Sequence, residues 1–194
     1  MSFLLKVLNK PIVLKRPLFY WLVGVFNRVS ESRIKEVGAD IACAEWLIRN
    51  GAAVKWGNSN NYLNNYDTLV VTIKNKKMNE NSKLFIHGVD ATDSAISYEG
   101  FRHFDGCKYI NYVKLVNCAY IGDEALSKLD YLKNSLKNLE ISNCTNVTES
   151  GLNHLKQLTK LEGLELANLP AVKNETNIIR ELHKSLPKCK IIFK

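Results

Sequence analysis

The chain has 194 residues, of which 46% are hydrophobic, and a formal net charge of +8. This length suits one compact unit or two small ones, and the apolar content is sufficient for a core. No apolar run approaches the roughly 18 residues that a membrane-spanning helix needs. The longest such run, residues 17–26, is interrupted by Gly24. A conventional integral membrane protein is therefore not expected.

The positive charge is concentrated at the N-terminus, because residues 1–30 contain no Asp or Glu. A basic, apolar and acid-free leader is typical of a mitochondrial presequence, which we predict for residues 1–17. Its removal would take away the charges of Lys6, Lys10, Lys15 and Arg16, so that +8 becomes +4. The remaining charge does not predict binding to nucleic acid.

The five cysteines are odd in number and form no CxxC pair. Cys118 and Cys144 occupy the same position of a repeated pattern described below. We therefore expect reduced thiols packed as small hydrophobic groups, as in the cytosol or the mitochondrial matrix.

Residues 18–53 are predicted to form a short helical N-terminal domain. Residues 18–29 are apolar on most faces, which indicates a helix that docks on protein or an aromatic anchor at a membrane surface. Ser30 can cap a second helix that ends at Gly38, and Asp40 can cap a third. Gly51 lies where a left-handed residue would end that third helix.

The next two segments have extended character. Residues 52–54 are predicted to be strand-like, and residues 57–67 to form an exposed Asn-rich loop. The β-branched run at residues 69–73 indicates a second extended segment.

One pattern then recurs four times, with its Asn-type position at residues 93, 117, 143 and 168. Steps of 24, 26 and 25 residues are typical of leucine-rich repeats, which combine a short strand with a helical segment. The copies are Val89-x-Ala91-x-Asp93-Ser94, Val113-x-Leu115-x-Asn117-Cys118, Leu139-x-Ile141-x-Asn143-Cys144 and Leu164-x-Leu166-x-Asn168-Leu169. The predicted fold class is α/β. It consists of the helical N-terminal domain followed, over residues 54–194, by a four-repeat leucine-rich-repeat solenoid of the cysteine-containing type. Its first repeat is irregular, and a C-terminal cap closes it.

The polar residues between the buried strand positions are predicted to face outward along one row. They are Asp90, Lys114, Glu140 and Glu165. We interpret these four residues as candidate partner-binding residues.

No catalytic motif is present: the sequence lacks GxSxG, P-loop, GxGxxG and HExxH patterns. His103 and His154 occupy equivalent positions of two repeats and are interpreted as surface or helix-face residues. The chain is therefore not expected to be an enzyme. The oxygen-rich stretch Asp90-Ala91-Thr92-Asp93-Ser94 allows two interpretations, a site for a hard cation such as Mg²⁺ or a degenerate copy of the Asn-Cys position.

Several blocks resemble the family of mitochondrial ATP synthase subunit s, also known as coupling factor B. They are Phe19-Tyr20-Trp21-Leu22, Phe26-Asn27-x-Val29, Ala44-Glu45-Trp46-Leu47, Gly51-Ala52-x-Val54 and Asp90-Ala91-Thr92-Asp93-Ser94. The likeness covers nearly all of the chain after the leader.

The resemblance implies a non-enzymatic factor, peripheral on the matrix side of the mitochondrial inner membrane. Such a factor would associate with the membrane sector of ATP synthase, support proton conduction and block a proton leak. The resemblance also implies a Mg²⁺ site between the N-terminal domain and the first repeat, involving Gly51 and Thr92. Some relatives have a cysteine where this chain has Val116, so this chain lacks the partner that a dithiol with Cys118 needs.

Two alternative functions remain at this point, and a homo-oligomer is also left open. A role in assembling respiratory complex I would fit the same fold class and compartment. A cytosolic substrate adaptor of a ubiquitin ligase would need an F-box-like domain, for which residues 18–50 are short.

Overall fold

A computed structural model describes residues 16–57, 59, 61–77 and 84–194. The predicted presequence lies almost entirely outside these residues. The described part is mixed α/β, with seven α-helices and one six-stranded sheet. No helix in these ranges has both the length and the apolarity to cross a membrane.

Three helices precede the sheet: α1 (Arg16–Asn27), α2 (Glu31–Val37) and α3 (Ala39–Arg49). The Ser30 hydroxyl accepts a hydrogen bond from the Arg33 amide, so it caps α2 as predicted. The prediction that Asp40 caps α3 is wrong. Asp40 lies inside the helix, and its Oδ1 accepts from the Ile86 amide at 2.9 Å, which ties α3 to the sheet.

The sheet has the order β1-β2-β3-β4-β5-β6. Strand β1 (Ala53–Trp56) pairs antiparallel with β2, and the remaining pairs are parallel. The other strands are β2 (Ile86–Asp90), β3 (Tyr112–Val116), β4 (Asn138–Ser142), β5 (Gly163–Ala167) and β6 (Lys190–Phe193). Parallel neighbours need a crossover, which helical segments supply here.

Those segments are α5 (Asp123–Lys128), α6 (Glu149–His154) and α7 (Glu175–Ser185), together with 3₁₀ helices at Tyr98–Phe104, Leu129–Leu132 and Leu155–Gln157. Between β1 and β2 lies α4 (Tyr66–Lys77). The prediction of an extended run at residues 69–73 is therefore wrong. Asn65 Oδ1 accepts from the Thr68 amide at 3.0 Å, and this N-terminal cap favours a helix despite the β-branched residues.

The Asn-type position has the same conformation in all four copies. Asp93, Asn117, Asn143 and Asn168 have φ values of 57°, 54°, 55° and 47°, in the left-handed region that Asn and Asp tolerate best among residues with a side chain. Each backbone amide donates to the following strand, as from Asn117 to the Ser142 carbonyl at 3.0 Å. This position therefore ties adjacent units together.

The core lies between the sheet and the crossover segments. The inward strand residues Val89, Val113, Leu139 and Leu164 are buried. All five cysteines are free and buried, which confirms the prediction of reduced, packed thiols. The Cys118 thiol donates to the Ala91 carbonyl at 3.0 Å, so it also links two neighbouring units.

Candidate functional site

The end of α3 meets the loop that follows β2, and we call this region the junction (residues 50–51 and 90–97). Gly51 has a φ of 90°, as predicted for the residue that ends α3. The Ala95 amide donates to the Asn50 carbonyl at 2.9 Å. A Cβ placed on Gly51 would lie 3.9 Å from the Ser94 Cα. The structure therefore brings Gly51 alongside the loop that contains Thr92.

Hydrogen bonds engage both carboxylates of this loop. Asp90 Oδ1 accepts from the Thr92 amide at 3.0 Å and from the Thr92 hydroxyl at 2.6 Å. Asp93 Oδ1 accepts from Asn117 Nδ2 at 3.0 Å. The Asp90 carboxylate therefore shapes the turn, whereas the Asp93 carboxylate links the loop to the next unit.

The donor set at the junction restricts which metal would fit. No group of three or more His, Cys, Asp or Glu side chains among the described residues could hold a metal ion. A cation beside Gly51 and Thr92 would therefore depend on carbonyl and hydroxyl oxygens and on water. Mg²⁺ prefers oxygen ligands and commonly keeps several waters, so these residues fit it better than they fit a transition metal.

Asn27, at the end of α1, bonds to residues on both sides of the junction. The sequence did not predict this role. Asn27 is fully buried. Its Oδ1 accepts from Trp46 Nε1 and from the Ser97 amide, both at 2.9 Å. Its Nδ2 donates to the Val23 carbonyl at 2.9 Å, to the Ala95 carbonyl at 3.0 Å and to Asn50 Oδ1 at 3.3 Å. The sequence offered one sign of this role: Asn27, which has a side-chain amide, directly follows the apolar run of residues 17–26.

His103 lies on the same cluster. Its ring stacks on Trp46 with centroids 5.0 Å apart, and its Nδ1 is 2.9 Å from the Gly100 carbonyl oxygen. Burial lowers the pKa of His103. His103 lies on a helical segment but is buried, so its interpretation as a surface residue is wrong, whereas His154 is exposed as interpreted.

The predicted outward residues form one row across the sheet, which we call the outward row. Strand register places Asp90 beside Lys114, Lys114 beside Glu140 and Glu140 beside Glu165. Lys114 Nζ lies 3.9 Å from Glu140, and Lys194 Nζ lies 2.6 Å from Glu165. The row thus presents partly exposed charges of both signs.

Tyrosines flank this row and were not predicted. The Tyr112 hydroxyl donates to Glu140 Oε2 at 3.2 Å, and burial, with Glu140 adding to it, raises the pKa of Tyr112. A shallow cavity of about 210 Å³ lies among Tyr112, Glu140 and Glu165. A Cβ on Gly88 would lie 2.9 Å from the Tyr62 hydroxyl, so Tyr62 covers the neighbouring strand. In the sequence, the sign of these two tyrosines was a large side chain with a polar hydroxyl, placed at an outward strand position or beside one.

No family model matches the sequence. A bovine protein (Bos taurus) named "ATP synthase subunit s, mitochondrial" is 38% identical over 170 residues, which cover 86% of this chain and 82% of the relative. The chain belongs to the mitochondrial ATP synthase subunit s family. A human relative of the same name is 35% identical over 86% of this chain and 82% of its own length. A rat relative of the same name is 37% identical over 89% of this chain and 84% of its own length.

Family membership confirms the resemblance found in the sequence. The structure adds that blocks far apart in this family member meet at the junction. Trp46 and Asn27 come from two of these blocks and are hydrogen-bonded to each other. Asn27 also reaches Ala95, immediately after the Asp90–Ser94 block.

Proposed function

We propose that this protein is a non-catalytic coupling factor of mitochondrial ATP synthase, bound peripherally on the matrix side of the inner membrane. It supports proton conduction by the complex and blocks proton leak. The observation that carries this proposal is the similarity, over 86% of the chain, to proteins named ATP synthase subunit s.

We further propose that the sheet and its crossovers form a leucine-rich-repeat solenoid. Its support is the recurrence of strand, left-handed Asn-type residue and helical crossover at steps of 24 to 26 residues. Such arrays bind partners along an extended surface made by equivalent positions of successive units.

The outward row is the proposed surface for the ATP synthase partner. Its charges are partly exposed and already oriented, by Tyr112 and Lys114 around Glu140 and by Lys194 beside Glu165. Complementary charges give an interface specificity and register more than raw affinity. A partner that presents the complementary order of charges would therefore be selected.

Affinity purification of the tagged chain from mitochondria tests this proposal. We expect ATP synthase subunits to copurify, and the double variant Glu140→Lys with Glu165→Lys to reduce their recovery about tenfold, since like charges would meet across the interface. Glu181→Lys is the matched control, because Glu181 on α7 also pairs with a lysine and has a side-chain exposure of 38% against 42% for Glu165.

Three results would count against the proposal. Recovery of complex I subunits in place of ATP synthase would support the assembly-factor alternative. Unchanged recovery with the double variant would exclude the outward row. In mitochondria depleted of the protein, unchanged leak respiration without ADP and without an ATP synthase inhibitor would exclude the role in blocking leak.

We also propose that Gly51 and Thr92 hold Mg²⁺ at the junction. If so, Mg²⁺ at about 100 times its dissociation constant adds about 2.7 kcal/mol to the free energy of unfolding. Thr92→Val removes the hydroxyl and should reduce this Mg²⁺-dependent gain, whereas Thr159→Val, at an exposed threonine, should leave it unchanged. Equal unfolding curves with and without Mg²⁺ would reject the site.

A further inference from the structure

Helix α1 is apolar on the side that it turns away from the protein. No charged residue occurs between Pro17 and Asn27. Val23 and Asn27 are buried on the packed side. Trp21 and Val25, one turn apart, are 62% and 40% exposed, and Phe26 is 38% exposed. A surface helix normally places polar residues there, so the outer face of α1 lacks a partner within the described protein.

Helix α1 is too short to cross a membrane, so a membrane span does not explain this apolar face. Its 12 residues correspond to about 18 Å, whereas a bilayer core is about 30 Å thick. A short helix that is apolar on its outer face can instead lie in the plane of a bilayer interface. Tryptophan is favoured at this interface, because its ring is apolar and its N–H still reaches polar groups.

One cation beside α1, Arg28, is unpaired within the part of the chain that the structure describes, and it favours an anionic surface. An open groove of about 520 Å³ runs between α1 and the 3₁₀ helix Tyr98–Phe104. Its charged lining residues are Arg28, Glu99 and Arg102. Arg102 pairs with Glu31 at 2.7 Å, and Glu99 accepts from the Ser97 hydroxyl. Arg28 makes no ion pair among the described residues.

No acidic residue lies on α1 or beside Arg28 in the sequence, since the first acidic residue of the chain is Glu31. Gly24 lines the same groove. A Cβ on Gly24 would meet nothing within 4 Å, so internal packing does not require glycine there, although glycine weakens a helix interior relative to alanine. The groove is therefore kept open toward an outside surface.

We propose that Trp21, Val25 and Phe26 dock α1 onto a phospholipid bilayer that contains anionic lipid, with Arg28 paired to lipid phosphate. The inference deepens the peripheral attachment in the proposed function, because it names the surface and the lipid chemistry. It assigns membrane contact to α1 and leaves the outward row to the protein partner.

Flotation of the purified full chain with lipid vesicles tests the inference. The vesicles contain phosphatidylcholine alone or phosphatidylcholine with phosphatidylglycerol. We expect binding mainly to the anionic vesicles and weaker binding at high salt. The double variant Trp21→Gln with Val25→Gln should lower the partition coefficient at least about tenfold, because two exposed apolar side chains no longer insert. Arg28→Gln should lower it about fivefold.

Val71→Gln is the matched control, since Val71 is 54% exposed and belongs to another helix, α4. It should bind vesicles as the wild type does. A second readout uses lipids brominated in their acyl chains, which should quench the fluorescence of Trp21 in the wild type and leave the buried Trp46 unaffected.

The outcomes separate this inference from the proposed function. Absence of vesicle binding, or equal binding by the wild type and the α1 double variant, overturns the inference. Loss of ATP synthase recovery with the α1 double variant, without any vesicle binding by the wild type, assigns the face to a protein instead. Failure of the outward-row variants to alter ATP synthase recovery counts against the proposed function alone.

Discussion

The regular units of the sheet and its first unit use polar residues in different ways. In the regular units, Asn117, Asn143 and Asn168 repeat one conformation and bond to the next unit along the array. In the first unit, Asp93 keeps this conformation, but the loop after it bonds sideways to Asn50 and Asn27 in the helical block.

The difference shows where each region obtains its stability. The regular units are held by many equivalent neighbour contacts, so each single bond contributes little. The junction is held by one buried amide with five hydrogen bonds, and such a group leaves several partners unsatisfied when it is removed. We therefore expect single substitutions to have larger effects at the junction than in the regular units.

The largest expected effect is that of Asn27→Ala. Loss of the amide leaves Trp46 Nε1 and the Ser97 amide without a buried acceptor, and we expect a loss of about 4 kcal/mol in the free energy of unfolding. Urea denaturation gives this value. Asn146→Ala, which removes one bond from an exposed asparagine to the Ala119 carbonyl, should cost less than about 1 kcal/mol. Similar losses for both variants would remove the distinction between the regions.

A smaller effect is expected for Gly151→Ala in a regular unit. The added Cβ would lie 2.9 Å from the Asp123 Cα, which is backbone and cannot move freely, so we expect a loss of about 2 kcal/mol. Gly24→Ala has open space around it and should stabilise α1 by roughly 0.5–1 kcal/mol. Thermal unfolding measures both changes, and opposite signs are the expected result.

The next prediction concerns the Asn-type position of a regular unit. Asn143→Gly keeps the left-handed backbone accessible but removes the Oδ1 that accepts a hydrogen bond from Asn168 Nδ2. We expect a loss of about 1 kcal/mol. Asn143→Ala should cost about 1 kcal/mol more, because alanine is strained at positive φ. If the two variants unfold alike, the backbone conformation does not limit this position.

The smallest effect concerns pH. Burial lowers the pKa of folded His103 below its ordinary value of 6.5. The unfolded chain therefore binds the proton first, and stability should fall as the pH drops from about 6.5 to the lower folded value. His103→Gln should flatten this part of the stability profile relative to the wild type. Equal slopes in the two proteins would exclude His103 as the cause.

The sequence predicted the regular units well because their pattern is local. Alternating Leu and Ile positions indicate a half-buried strand, and an Asn after the strand indicates a left-handed turn. The strands, the row of Asp90, Lys114, Glu140 and Glu165, and the capping by Ser30 all appear where the sequence placed them.

The junction could not be predicted in the same way, because its contacts join residues far apart in the chain. Nothing near Asn27 indicates that its partners are Trp46 and Ser97, and Asp40 has the local sequence of a helix cap while its carboxylate reaches Ile86. At residues 69–73 local propensity favoured a strand, and the Asn65 cap and tertiary packing of the buried Leu69 favour the helix instead.

The five hydrogen bonds of Asn27 also have a consequence for association. They fix the rotation of α1 about its own axis, so that Trp21 and Val25 occupy their outer positions before anything binds there. Much of the entropy of ordering this helix is then lost during folding rather than on contact with a surface. A preorganised face of this kind binds more tightly than the same residues on a mobile segment would.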